Sequence, residues 1–324
     1  VPELGVVIVG CGGIADAYVE ALAGLEGARV RAVVDPDEAA RGRLSEQTGG
    51  LACADSDAAP ACEVALVLTP PSTHEALSCA WLARGAHVLC EKPLAPSLDE
   101  AERMLRAARD ADRRLMMGSK FRYTPDVSEA RRLLDQRVCG DVVLYENVFC
   151  SHVDMSRRWN ADPAVSGGGV LIDNGCHSVD LARYLLGPLQ RLQVQFGRRV
   201  QDLEVEDTAR MLFESASGAL GSIDLSWSVH KQTDAYVRIH GTDGALEVGW
   251  RGSRYQTGDG SWTAFGQGYD KVTAFRSQLQ NFFACVRGEA SPVIDDVDAR
   301  ASVVVIERAY EAARQERWVP IPQD

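Results

Sequence analysis

Residues 6–15 read VVIVGCGGIA, a β-branched run that breaks into glycines and then turns apolar again. Val and Ile favour a buried strand, and the glycines permit a tight turn into a helix. Gly10-Cys11-Gly12-Gly13-Ile14-Ala15 fits G-x-G-x-x-A, a pattern in which the backbone approaches a pyrophosphate at a helix N-terminus. Glycines also mark ordinary turns, so the pattern needs context. Here the next strand-like run ends in Asp35, 25 residues after Gly10. That is near the ~20 at which a carboxylate meets the ribose hydroxyls. Neither Pro36 nor Asp37 supplies a cation to neutralise a 2′-phosphate, which favours NAD over NADP.

The same grammar continues. Strand-like runs at Leu4–Val9, Val30–Val34, Val64–Leu68, His87–Cys90 and Leu115–Met117 are short and continuous, as strands covered on both faces should be. Helical patterns at Ile14–Ala23, Asp37–Gln47, Thr73–Arg84 and Leu98–Arg109 separate them. Ser72 before Glu75 and Ser97 before Glu100 predict capping boxes. This alternation predicts a doubly wound parallel sheet of the Rossmann kind over residues 1–120. Beyond 120, helices are expected over 125–137 and 170–186. Strands are expected at Asp141–Cys150, Leu189–Arg199, Asp207–Glu214, Ala219–Val229, Ala235–His240 and Ala245–Val248. Residues 121–324 therefore predict an α+β domain on a mostly antiparallel sheet. Helices at Val272–Arg287 and Val297–Arg314 close the chain, and the one at 297–314 is expected to pack back on the first domain.

A net charge of −12 argues against nucleic acid or an anionic membrane as partner. No apolar run approaches the ~20 residues of a membrane helix, and the opening residues resemble a strand, not a signal peptide. Nine cysteines without a C-x-x-C pair fit neither a zinc ribbon nor a disulfide framework, so reduced thiols and a cytoplasmic setting are expected.

Three further segments carry chemistry. Thr69-Pro70-Pro71-Ser72-Thr73-His74 and Cys90-Glu91-Lys92-Pro93 end two of the predicted strands, where an open α/β sheet binds its ligand. Paired prolines stiffen a backbone lying against a flat ring, whereas His74 reads more readily as a local structural group. Lys92 could be a solvated surface lysine, but its place between strand end and proline suits a substrate oxygen. In GGGVLIDNGCHSVD, residues 167–180, Asp173 and His177 stack one turn apart on a helix. Alone, that spacing serves equally for a base and its orienter or for an ordinary surface hydrogen bond. The preceding glycines are expected to leave the first helical N–H groups near the ligand.

Taken in order, G-x-G-G-I-A, T-P-P-x-x-H, C-E-K-P-L and G-G-G-x-L-x-D-x-x-x-H-x-x-D resemble the glucose–fructose oxidoreductase, inositol dehydrogenase and MocA superfamily along essentially the whole chain. The resemblance implies a Rossmann domain and an open-sheet domain whose outer face often builds a homodimer or homotetramer. It also implies a bound nicotinamide dinucleotide and redox chemistry at a secondary alcohol of a sugar or cyclitol. Lys92, Asp173 and His177 then look like a catalytic trio. Gly10, Gly12, Gly13, Ile14, Asp35, Thr69, Pro70, His74, Glu91 and Lys92 look like cofactor contacts. The chain departs at Gly118-Ser119-Lys120-Phe121-Arg122-Tyr123, where many members carry Asn or Gln before paired arginines.

Alcohol oxidation needs a base of near-neutral pKa, a role that suits His177, with Asp173 holding its tautomer and Lys92 stabilising the oxygen. A catalytic zinc site would need a third ligand, and no such spacing is present, so no metal is expected. Substrate contacts are expected from Lys92, Arg122, Tyr123, Trp159, Asp173, Asn174 and His177, with Glu146, His152, Asp154, Arg157 and Asn160 nearby. Trp159 could stack on a sugar ring. A neutral or amino-substituted polyol is favoured over a phosphorylated one, because no basic cluster exceeds two residues. An NAD-dependent glycosidase of the same fold and a non-catalytic NAD-binding regulator are the alternatives.

Overall fold

The computed structural model describes residues 3–231 and 233–323. The first part runs β1 (Leu4–Val9), α1 (Gly13–Ala23), β2 (Ala28–Val34), α2 (Glu38–Thr48), β3 (Leu51–Cys53), β4 (Val64–Val67), α3 (His74–Ala83), β5 (His87–Glu91), α4 (Leu98–Asp110) and β6 (Leu115–Gly118). Next come α5 (Pro125–Asp135), β7 (Val142–Cys150), α6 (Pro163–Ser166), α7 (Val170–Leu186), β8 (Leu189–Phe196), β9 (Thr208–Ser215) and β10 (Leu220–Ser226). The rest is β11 (Ala235–Gly241), β12 (Gly244–Gly249), β13 (Ser253–Thr257), β14 (Thr263–Phe265), α8 (Lys271–Val286), α9 (Asp296–Gln315) and β15 (Val319–Pro320).

Two compact units result. One comprises the chain up to Lys120 with Lys271–Arg300, the other Phe121–Asp270 with the chain from Ala301 on. The crossing at 120 lies where the strand grammar changes. α8 and the start of α9 belong to the first unit, and the rest of α9 belongs to the second. α8 carries the apolar stripe Phe275, Leu279 and Phe282, all fully buried. Phe275 lies 4.3 Å from the ring of Tyr18 on α1.

The first unit holds a six-stranded sheet in the order β3-β2-β1-β4-β5-β6, every pair parallel. Val6, Val7, Ile8, Val64, Leu66, Val88 and Leu89 are fully buried, each worth about 1.5–3 kcal/mol of burial. The edge strand β3 was not foreseen; it is three residues long, and Leu51 stays 57 % exposed. The box at Ser97 and Glu100 forms, but the one at Ser72 and Glu75 does not. Pro71 starts a 3₁₀ turn that delays the helix to His74, and Glu75 pairs with Arg103 instead.

In the second unit nine strands follow the order β14-β13-β12-β11-β7-β10-β9-β8-β15. The β7–β10 pair is parallel and all others are antiparallel. Tyr145, Asn147 and Phe149 of β7 and Ile223 and Leu225 of β10 are buried. Their alternates, Glu146 and Asp224, face the other way.

Candidate active site

In the first unit the glycine loop joins β1 to α1. Gly10 has φ +97°, and a Cβ there would sit 2.9 Å from the Leu68 carbonyl carbon and the Thr69 nitrogen. Glycine is required here because the ends of β1 and β4 touch. At Gly12 and Gly13 a Cβ would meet nothing within 4 Å, and both residues are exposed. Ala15 is fully buried behind the loop. The Asp35 carboxylate, at the end of β2, accepts from the Cys11 N–H at 2.7 Å and the Asp37 N–H at 2.9 Å. This edge thus offers an open loop at a helix N-terminus beside a fixed carboxylate, an arrangement that fits a dinucleotide. Two arginines that sequence spacing did not flag stand here as well. Arg43 donates to the Cys11 carbonyl at 2.8 Å and pairs with Asp16, and Arg41 donates to the Pro36 carbonyl at 3.0 Å. Burial, then Asp35, pushes the Cys11 thiol up to about 12.

His74 ties the ends of β4 and β5 together. It is fully buried, with Nδ1 2.9 Å from the Pro93 carbonyl and Nε2 2.8 Å from the Thr69 carbonyl. Burial holds its pKa below the usual histidine value, against the pull of those carbonyls. The local structural role is what the contacts describe. Glu91 is also buried; it accepts from the Tyr18 hydroxyl at 2.6 Å and the Lys92 N–H at 3.2 Å, and Gln278 donates to that hydroxyl at 2.9 Å. Lys92 is half-buried, and its peptide bond to Pro93 is cis.

In the second unit, α7 carries Asp173 in its first turn and His177 one turn later; Asp173 is half-buried and His177 is 6 % exposed. The glycines ahead of it act otherwise than expected. A Cβ at Gly169 would collide with the Glu206 carbonyl, and one at Gly168 with the Tyr310 hydroxyl. The Glu206 carboxylate accepts from the N–H groups of Gly169 at 3.0 Å and Leu171 at 3.1 Å, and from the Tyr310 hydroxyl at 2.8 Å. The helix N-terminus is thus capped from within the fold, and the glycines make room for the cap. Burial raises the Glu206 pKa against those donors.

Phe121 packs edge-on against His177, with ring centroids 5.0 Å apart. Its neighbour Arg122 is 2 % exposed and pairs with Asp180 at 2.7 Å, which places that guanidinium inside the fold. Tyr123 is buried and Asn174 half-buried. Glu146 stands on the sheet face opposite Tyr145 and Asn147, beside Arg210, Asp224 and Arg238. His152 stacks on His230 at 4.7 Å, and Asp154 accepts from the Ser156 N–H. Arg157 and Trp159 are exposed, and Asn160 is half-buried in the 159–161 turn.

Comparison with known proteins agrees with this architecture. Residues 4–119 match the profile of an oxidoreductase family with an NAD-binding Rossmann fold, and residues 127–247 match a GFO/IDH/MocA C-terminal domain. The chain belongs to the GFO/IDH/MocA oxidoreductase family. It is 27 % identical over 262 residues to scyllo-inositol 2-dehydrogenase (NAD(+)) of Bacillus subtilis, covering 76 % of this chain and 74 % of that protein. It is 31 % identical to a putative UDP-kanosamine synthase oxidoreductase subunit of Amycolatopsis mediterranei, covering 68 % and 67 %. The fold matches that of levoglucosan dehydrogenase in complex with NADH and levoglucosan, with a TM-score of 0.92 at 20 % identity over 99 % and 100 % of the two chains. No helix among the described residues is long and apolar enough to cross a membrane.

Proposed function

We propose that this GFO/IDH/MocA oxidoreductase uses NAD to interconvert a secondary alcohol and a ketone on a neutral or amino-substituted sugar or cyclitol. The observation that carries the proposal is the Asp35 carboxylate fixed on the Cys11 N–H beside the open Gly12–Gly13 loop. A carboxylate there accepts from ribose hydroxyls and repels a 2′-phosphate. The bound dinucleotide supplies the hydride acceptor or donor. In the oxidising direction His177 takes the hydroxyl proton as the C–H hydride departs, leaving a ketone and an imidazolium. Asp173, one turn earlier on α7, orients the ring and stabilises its charge. Lys92 contributes an ammonium for the developing negative charge on oxygen. The relatives named for an inositol and for sugars support this substrate class.

Leu144 and Leu220, paired across β7 and β10, and Leu212 of β9 are 45, 52 and 42 % exposed on the face opposite α7. We assign this strip to a homodimer or homotetramer, and light scattering on the Leu144→Glu variant tests it. Nine cysteines, all free thiols, favour the cytoplasm.

The test is a screen of sugars, aminocyclitols and nucleotide sugars for NAD-coupled absorbance. Steady NADH formation supports a dehydrogenase. Aglycone release without net NADH would replace it with a glycosidase, and tight NAD binding with neither activity would make the protein a regulator.

A further inference from the structure

The departure at Phe121 leads to a group of aromatic side chains that the catalytic assignment does not use. Phe121 stacks on Tyr269 with centroids 4.8 Å apart and an interplanar angle of 21°. Trp250 meets Tyr269 edge-on at 5.7 Å and lies 4.7 Å from Tyr236. Phe121 and Tyr236 are buried, whereas Trp250 is 37 % exposed and Tyr269 half-buried, so the group runs from the interior of its unit to its surface. Phe121 also supports His177.

Two features of the chain build this arrangement. The register of β11 and β12 slips between Ala235 and Val237, a bulge of the kind that re-aims a side chain, and Tyr236 is the residue it displaces. The Tyr236 hydroxyl is buried with no hydrogen-bond partner among the described residues. Asp126, in the first turn of α5 and 2 % exposed, is the second feature. Its carboxylate accepts from the Ser253 hydroxyl at 2.6 Å and from the N–H groups of Gln267 at 3.1 Å and Gly268 at 3.0 Å. Gly266 and Gly268 have φ of +67° and +87°, and the Tyr269 N–H donates to the Trp250 carbonyl at 3.1 Å. Asp126 therefore fixes the short loop that delivers Tyr269 onto Phe121.

We propose that Tyr269 and Trp250, backed by Phe121 and positioned by Asp126, form a stacking shelf for the carbon–hydrogen face of the substrate ring next to His177. This rests on the alcohol–ketone function proposed above and narrows its substrate to a ring with one largely unhydroxylated face. Aromatic faces attract polarised C–H groups and cations, which suits a neutral or amino-bearing ring. An open-chain polyol offers no rigid face to stack, and an anionic ring meets the negative faces of the aromatic rings.

The test combines equilibrium binding with turnover on the full chain. Tryptophan fluorescence is titrated with myo-inositol, methyl glucoside and glucosamine, with xylitol as open-chain control and glucuronate as anionic control. A ring polyol should change the emission, Trp250→Phe should abolish the change, and xylitol and glucuronate should do little. With whichever ring is oxidised, Tyr269→Ala and Asp126→Ala should raise KM about 3- to 10-fold with kcat nearly unaltered. Tyr269→Phe, which keeps the ring, should behave as the parent, and melting temperatures report on folding. Quenching that persists in Trp250→Phe, equal KM changes for ring and open-chain substrates, or no response to any ring polyol would overturn the shelf. A Trp250-dependent signal without NADH formation keeps the shelf and removes the dehydrogenase; NADH formation with a silent Tyr269→Ala does the reverse.

Discussion

Arg122 Nε lies 2.8 Å from the carboxylate of Asp180, three residues beyond His177 on α7, and neither side chain is more than 2 % exposed. The pair anchors to α7 the 120–123 turn, in which Phe121, next to Arg122, supports the His177 ring. Removing one member of a buried pair strands the other charge, at a cost of about 3–5 kcal/mol. Arg122→Met should therefore lower the urea midpoint sharply, and Arg122→Met with Asp180→Leu should recover much of the loss. Equal loss in the single and double variants would show that the charges are not coupled.

His177→Ala should leave NAD affinity nearly intact while turnover falls by ~10²–10⁴. NAD binding is read by quenching and turnover by NADH absorbance, so the two effects separate. Unchanged turnover would remove the base from its assignment. Under the proposed mechanism Lys92→Met should lower kcat, because its ammonium is assigned to the developing charge on oxygen and not to the proton.

Asp35→Ser removes the carboxylate that the Cys11 N–H holds in place. The loss of charge-assisted hydrogen bonds of about 1.5–3 kcal/mol should weaken NAD by roughly 10- to 100-fold. Arg41 and Arg43 stand at the same edge, so the variant should accept NADP better than the parent does. The ratio of NAD to NADP affinities checks this; an unaltered ratio would place ribose recognition at other residues.

The parts of this fold legible in the sequence are those set by local pattern. Leu4–Val9 and 170–186 appear at their expected bounds because a β-branched run before glycines, and a 3.6-residue apolar period closed by Gly187, leave few alternatives. The tight turn at Gly10 and the place of Asp35 at the end of β2 were legible for the same reason. What was not legible depends on contacts distant in sequence. Glu206 caps α7 from 35 residues away and inverts the meaning of Gly168 and Gly169. Asp126 grips Gly268 across 142 residues, and nothing in the short stretch between β14 and α8 announces Tyr269 as a partner of Phe121. Glu146 was misplaced because alternation along β7 gives two faces without saying which of them α7 covers.

His74 gives stability a pH dependence of definite sign. Both ring nitrogens face carbonyl oxygens, but burial dominates and keeps the folded-state pKa below the ordinary value of 6.5. Between 6.5 and that lower value the unfolded chain binds a proton that the folded chain refuses. The histidine's contribution is therefore complete above 6.5 and lost as pH falls through the folded-state pKa. His87 is shifted the same way by burial and by Arg113 and Arg114, so the parent alone does not isolate the effect. His74→Gln should be less stable at neutral pH, because a buried strut between Thr69 and Pro93 is weakened. Its urea midpoint should also fall less steeply than the parent's between about pH 7 and pH 5. Parallel slopes would mean that His74 takes its proton within the folded state as readily as outside it.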